Sequence, residues 1–456
     1  MFRRNYIERL NKWAANPDRK PLVLRGARQV GKTTIIKMFA RKYKQYIYLN
    51  LEIDEDRELF ENDSSFELII ESLFFYSKKK RNIETLLFID EIQNSPRAVS
   101  LLRYFYEQAN DIHVIAAGSL LETLIDKNIS FPVGRTEYMI LRPFSFDEFL
   151  MAAKENSFLA AINKIPLPDY ALSGILKIFR RYTLIGGMPE VVKKYVRTES
   201  INELKPVFEN LIISYLDDVE KYAKGNKQSY IIRHIIKNSF AEAGNRIRFV
   251  GFGASNYKSQ NVADAFFLLE KAFLLKLVYP TSSVKIPLQT NLRKSPKLQL
   301  LDTGLVNYFA GLQEELFGTK ELSDAHEGKI VEHVVFQELL AASESVLQEF
   351  HFWVREKKQS NAEVDFVFPY KGLLIPLEVK AGATGRLRSL HQFIDRCPHN
   401  YAVRFYSGKV QIDKLKTIAG KEFYLLNIPY FLAGKLEEYL DWFFKEINLN
   451  IQANQL

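Results

Sequence analysis

Eight residues near the start constrain this chain more than any other feature. Gly26-Ala27-Arg28-Gln29-Val30-Gly31-Lys32-Thr33 fits G-x-x-x-x-G-K-[ST] at every position. The apolar stretch Pro21–Arg25 precedes it and a helix-forming stretch follows, which is the strand–loop–helix context the pattern requires. Its glycines let the backbone bend until the N–H groups face an anion, and the helix N-terminus adds positive potential. The spacing predicts a triphosphate cradle along residues 26–34, ending at Thr34. Lys32 would reach the β- and γ-phosphates and the Thr33 hydroxyl would bind Mg2+.

A second apolar run, Leu86-Leu87-Phe88-Ile89, ends in Asp90-Glu91. It delivers two acids to the C-terminal end of a strand, where open α/β sheets bind ligands. Asp90 is placed to hold Mg2+, directly or through water, and Glu91 to polarise an attacking water; the plain alternative is a strand end capped by acids. After the next apolar strand comes Ala117-Gly118-Ser119, with Ser119 expected beside the γ-phosphate. Gly134-Arg135 precedes a further strand. Spacing leaves Arg135 open between a charge-stabilising residue, acting in its own subunit or a neighbour's, and a surface arginine after a turn.

Candidate strands at Pro21–Arg25, Tyr46–Leu51, Thr85–Asp90, Ile112–Ala117 and Tyr138–Arg142 alternate with helical stretches. That alternation predicts an α/β domain, residues 1–145, with a parallel sheet. Glu52–Glu71 carries nine acids against Arg57 alone and reads as an exposed helix or loop; Phe74-Phe75-Tyr76 reads as helix packing. Residues 146–315 look mainly helical, with a winged helix expected at about 245–290 and Lys258–Lys271 as its recognition-type helix. Residues 316–456 return to mixed α/β with a helical end: a helix over Glu327–Leu340, then strands near Phe352–Arg355, Glu363–Phe368 and Leu373–Lys380.

Charge and cysteine content narrow the class. The net charge is +9, yet residues 1–45 hold thirteen Lys or Arg and two acids, so the rest is slightly acidic. Such a block fits a nucleic-acid or phosphate-rich ligand, or simply a solvated helical face. Cys397 is the only cysteine, which excludes an intramolecular disulfide and Cys-ligated zinc. No run reaches the roughly 18 apolar residues of a membrane helix, and Met1–Tyr6 lacks a signal peptide's apolar stretch. The expectation is a cytoplasmic protein with no membrane partner. The seven histidines show no metal-ligand spacing.

A different cluster lies towards the other end. Glu363 and Asp365 share one face of their strand, and Glu378 and Lys380 share one face of the next. The second strand is otherwise apolar and reads as central, where charge is costly unless paired or metal-bound. Asp365 and Glu378, with Glu332 from the preceding helix, are placed to hold Mg2+, and Lys380 to orient or activate water for phosphodiester hydrolysis. A cross-strand salt-bridge cluster is the alternative.

The residues Gly26–Thr33, Leu86–Glu91, Gly118-Ser119, Gly134-Arg135, Arg142–Phe149 and Gly186-Gly187-Met188-Pro189-Glu190 together resemble an AAA-type P-loop ATPase group of bacteria and archaea with a C-terminal domain of unknown function. The resemblance implies ATP as the nucleotide and Arg135 acting near the γ-phosphate. The D-x12-E-x-K spacing of Asp365, Glu378 and Lys380, with Gly328–Glu332 and Trp353–Arg355, resembles the restriction-endonuclease-like fold. The combined expectation is an ATPase switch or motor coupled to a nuclease-like, DNA-binding domain, in a possible homo-oligomer. Two other readings compete with it: a non-catalytic ATP-gated regulator whose C-terminal domain binds a protein or a nucleic acid, and a small-molecule kinase, disfavoured by the long remainder of the chain.

Overall fold

Apolar runs without polar alternation become strands covered on both faces. In the computed structural model, β1 (Leu22–Arg25), β2 (Gln45–Asn50), β3 (Thr85–Asp90), β4 (His113–Ala117) and β5 (Glu137–Ile140) form a five-stranded sheet ordered β2-β3-β4-β1-β5. Every pairing is parallel, and all six residues of β3 are buried, as expected for a strand between helical layers. The structure describes residues 2–61, 65–118, 132, 134–223, 225–311, 324–355, 362–382 and 387–453. It divides into two units: residues 1–142 with 271–274 and 344–346, and the remainder. The stretches read as residues 146–315 and 316–456 fall almost wholly in the second.

In the first unit the acid-rich stretch is not a loop. It forms α3 (Asp54–Glu61) and α4 (Phe66–Tyr76), whose Phe60, Ile69 and Ile70 pack with Val23, Leu87, Ile89 and Ala116 of the sheet. Of the three aromatics at the end of α4 only Phe74 is buried; Phe75 and Tyr76 are exposed. α5 (Pro96–Gln108) starts where Ser95 Oγ accepts from the Ala98 N–H and proline takes the first helical position. Four arginines of the basic block are committed to separate partners. Arg4 is buried and donates to the carbonyls of Val30 and Arg142, Arg19 donates to Asn110 O, Arg25 stacks on Tyr138, and Arg28 pairs with Glu52.

The second unit joins helices to a mixed sheet. Helices Asn226–Ser239 and Ser259–Lys271 precede an antiparallel pair, β6 (Leu275–Val278) with β8 (Lys297–Leu300), and Arg246 bridges to Lys297 alongside it. Of these two helices only Ser259–Lys271 falls within the span 245–290 expected to form a winged helix. The connection between β6 and β8 supplies β7 (Pro280–Thr281), which enters a larger sheet. That sheet adds β9 (His351–Val354), β10 (Glu363–Tyr370), β11 (Leu373–Val379), β12 (Tyr401–Tyr406), β13 (Gln411–Lys416) and β14 (Glu422–Pro429), in the order β13-β14-β12-β11-β10-β9-β7. The reading of β11 as central holds, for β10 and β12 flank it. β10 and β11 turn through Lys371-Gly372, both at positive φ, the backbone a two-residue hairpin requires. Helix Asp324–Ala342 lies in this unit, and Leu436–Ala453 is its helical end.

The stretches around Phe144 and Gly187 lock this unit together. Phe144 N donates to Gly187 O at 2.7 Å, and Gly187 N donates to buried Asp302 at 2.6 Å. A Cβ on Gly187 would lie 2.1 Å from Phe144 O, and one on Gly186 2.0 Å from Asp302. Phe146 N donates to both oxygens of Glu338 at 3.1 Å. The Tyr182 hydroxyl lies 2.6 Å from Glu338 Oε1 and 2.7 Å from Phe144 O.

Candidate functional site

The loop after β1 has the backbone its glycines predict. Gly26 has φ 140° and Gly31 φ 94°, and Gln29 is also left-handed at 64°. A Cβ on Gly26 would stand 2.3 Å from Leu141 O, so the loop start is closed to any side chain. Lys32 opens α2 (Lys32–Phe39) and is buried. Its ammonium donates to the carbonyls of Gly26 and Ala27, both at 2.9 Å. Burial pushes it down to about 8, against the opposing pull of Glu91 and Asp90. A buried cation resting on carbonyls instead of a carboxylate is costly unless an anion arrives.

β3 delivers its acids beside this loop. Thr33 Oγ1 donates to Asp90 Oδ2 at 2.7 Å, and the Tyr48 hydroxyl lies 3.4 Å from the same oxygen. Glu91 takes a left-handed backbone, φ 51°. Its carboxyl accepts from Gln93 and is held above the usual range, chiefly by burial, with Gln93 and Lys32 pulling it back. The hydroxyl–carboxylate pair of Thr33 and Asp90 is the oxygen donor set a hard divalent cation takes, so Mg2+ fits here. Arg28 at the loop pairs with Glu52 at 3.6 Å. Val30 is fully buried and Ala27 nearly so.

Two other expected residues part from this group. Ser119 lies outside the described residues. Arg135 is at the opposite end of the strands, before β5. β5 pairs with β1 from Glu137↔Leu22 to Ile140↔Arg25. Arg135 precedes the first rung and the loop follows the last, so roughly 10 Å of strand separates them. Arg135 pairs with Glu107 of α5 at 2.8 Å. Action on the γ-phosphate of its own chain is therefore corrected: the parallel register carries Arg135 away from that end.

A family described as an AAA domain matches residues 18–150. The N-terminal domain is of the AAA type. Two families described as domains of unknown function match residues 176–316 and 327–431. Among curated proteins, Uncharacterized protein MJ1637 of Methanocaldococcus jannaschii is 23% identical over 317 residues, which is 64% of this chain and 63% of that protein. The chain thus spans less than two thirds of that relative. The Walker-type ATPase PABY2304 of Pyrococcus abyssi superposes with a TM-score of 0.43 at 16% identity, covering 68% of this chain and 96% of that one. PCH-2 of C. elegans gives 0.25 at 15% identity, covering 41% and 57%. Such low superposition scores fix neither fold nor function.

Beyond the AAA domain, the second acidic cluster does assemble. Phe366 pairs with Leu377, so the next rung sets Asp365 opposite Glu378. Asp365 Oδ2 accepts from Val379 N at 2.8 Å, and Lys380 Nζ meets Glu378 Oε1 at 2.5 Å. Glu332 joins from helix Asp324–Ala342. The centre of the cluster is occupied by a residue that sequence reasoning missed. Buried Lys297, on β8, places its ammonium 2.6 Å from Glu332, 2.7 Å from Glu363 and 3.8 Å from Asp365. Arg246 also pairs with Glu363. The expectation of Mg2+ held by Glu332, Asp365 and Glu378 is corrected accordingly: an ammonium takes the carboxylate oxygens. Among the described residues no group of three or more His, Cys, Asp or Glu is arranged to hold a metal ion. The sequence carried no signal for it, because the burial of Lys297 with the rest of β8 is a property of the folded chain. Also among the described residues, no helix is long and apolar enough to cross a membrane.

Proposed function

We propose that the AAA domain binds ATP with Mg2+ and hydrolyses it, and that this cycle switches the state of the nuclease-like remainder, which engages DNA. One observation carries the nucleotide half: buried Lys32 sits on two loop carbonyls beside the Thr33–Asp90 pair. The loop N–H groups and Lys32 bind the phosphates. Thr33 and Asp90 hold the divalent ion, which when bound supplies charge neutralisation at the transferred phosphoryl group. Glu91, one residue beyond Asp90, orients and polarises the attacking water. Ser119 is assigned to the γ-phosphate on spacing alone. Arg135, far from its own loop, fits action on a neighbour's nucleotide, which requires a homo-oligomer. The test is turnover by well-folded variants. Lys32→Ala should lose ATP hydrolysis, on the order of a hundredfold or more; Glu91→Gln should keep ATP bound without turning it over. Parental hydrolysis by both would remove the assignment.

A second reading is favoured by Lys297, whose ammonium sits where a nuclease would need its metal. In it, the C-terminal unit binds a protein or nucleic-acid partner without cutting, and ATP gates that binding. Plasmid incubated with Mg2+ or Mn2+ separates the two. Cutting that disappears in Asp365→Ala supports the nuclease, and salt-sensitive binding without cutting supports the regulator.

A further inference from the structure

The acidic cluster of the second unit is faced by cations of its own unit. Four carboxylates meet there: Glu332, Glu363, Asp365 and Glu378. Three cations face them: Lys297, Lys380 and Arg246. Lys380 Nζ lies 2.5 Å from Glu378, and Lys297 Nζ lies 2.6 Å from Glu332 and 2.7 Å from Glu363. Glu378 Oε2 is buried with no hydrogen-bond partner among the described residues. Lys297 opens β8 and Arg246 bridges to it, whereas the acids come from helix Asp324–Ala342 and the β10–β11 hairpin.

We propose that Lys297 is a built-in counter-cation whose ammonium takes the carboxylate oxygens of Glu332 and Glu363 beside Asp365, so that this cluster, with Glu378, excludes a divalent metal that it would bind without the lysine. The chemistry is direct competition. An ammonium within 3 Å of two carboxylates uses the oxygens a hard cation would take, and its charge repels a second cation through a poorly screened interior. This does not depend on nucleotide binding, and its failure would leave the ATPase reading untouched.

The test uses the full chain without nucleotide, titrated with Mn2+ and followed by electron paramagnetic resonance. The parent should show no Mn2+ binding that Asp365→Asn removes. Lys297→Met should gain binding more than about tenfold tighter than any in the parent, and Asp365→Asn in that background should abolish it. Folded Lys297→Met without such a gain overturns the proposal. Because that variant leaves buried carboxylates unpaired, the parent against its own Asp365→Asn variant is the second arm. Asp365-dependent Mn2+ binding in the parent overturns the proposal on its own, and its absence supports it even where Lys297→Met fails to fold.

Discussion

Lys32 shows how one buried proton couples a residue to its ligand. Its ammonium is held down to about 8 by burial, so the empty loop loses that charge above about pH 8, while a bound triphosphate would restore it. Affinity for Mg-ATP should be level below that pH and fall above it, with proton uptake on binding. Calorimetry in buffers of different ionisation heat should read uptake near about pH 9 and none at about pH 7, and Lys32→Met should abolish it. Glu338 titrates in the other setting, an enclosed network. The Tyr182 hydroxyl has one proton for two acceptors, Glu338 and Phe144 O. A protonated Glu338 resolves this by donating to Tyr182, which then donates to Phe144 O. Burial raises Glu338 from 4.5 to about 8. The folded state therefore binds more protons than the unfolded one across that range, and stability falls as pH rises through it. Glu338→Gln, whose amide can also donate, should give a shallower decline of Tm between about pH 6 and 8. An unchanged slope would mean that Glu338 is ionised throughout.

At the level of elements, the joints carry as much information as the strands. The backbone around Gly186-Gly187 passes so close to Phe144 O and Asp302 that no side chain fits. Gly187→Ala should cost about 2–3 kcal/mol, read as a shift of the denaturant midpoint at constant m-value. Gly328, in helix Asp324–Ala342, is the contrast: an added Cβ there meets nothing within 4 Å. Gly328→Ala should stabilise by about 0.5–1 kcal/mol, since alanine loses less backbone entropy in a helix. A cost at Gly328 equal to that at Gly187 would remove the steric explanation.

For the molecule as a whole, two units with separate interiors should unfold in two calorimetric transitions, of which Mg-ATP moves one. At a hundredfold excess over Kd the shift corresponds to about 2.7 kcal/mol, and it should be absent in Lys32→Ala. A single transition, or both moving together, would contradict this. Reading the chain in order identified the five parallel strands and the strand–loop–helix at Gly26–Thr33, because each depends on neighbours in sequence. A loop between a strand and a helix has its geometry set by its own glycines, and an apolar run announces a covered strand locally. β12 and β13, by contrast, mix polar and apolar residues and carry no such local mark. The polarity of a strand, however, reaches beyond its own residues. Only the parallel pairing of β5 with β1 carried Arg135 to the end of the strands away from the cradle. Likewise, the sequence alone brought Asp365, Glu378 and Lys380 onto adjacent strands by period-two spacing. What it could not contain is Lys297, some seventy residues earlier in the chain, whose ammonium reaches those acids only once the helical segment and the large sheet have packed. The set of charges in a buried cluster is a property of everything that converges there, and convergence is decided in three dimensions.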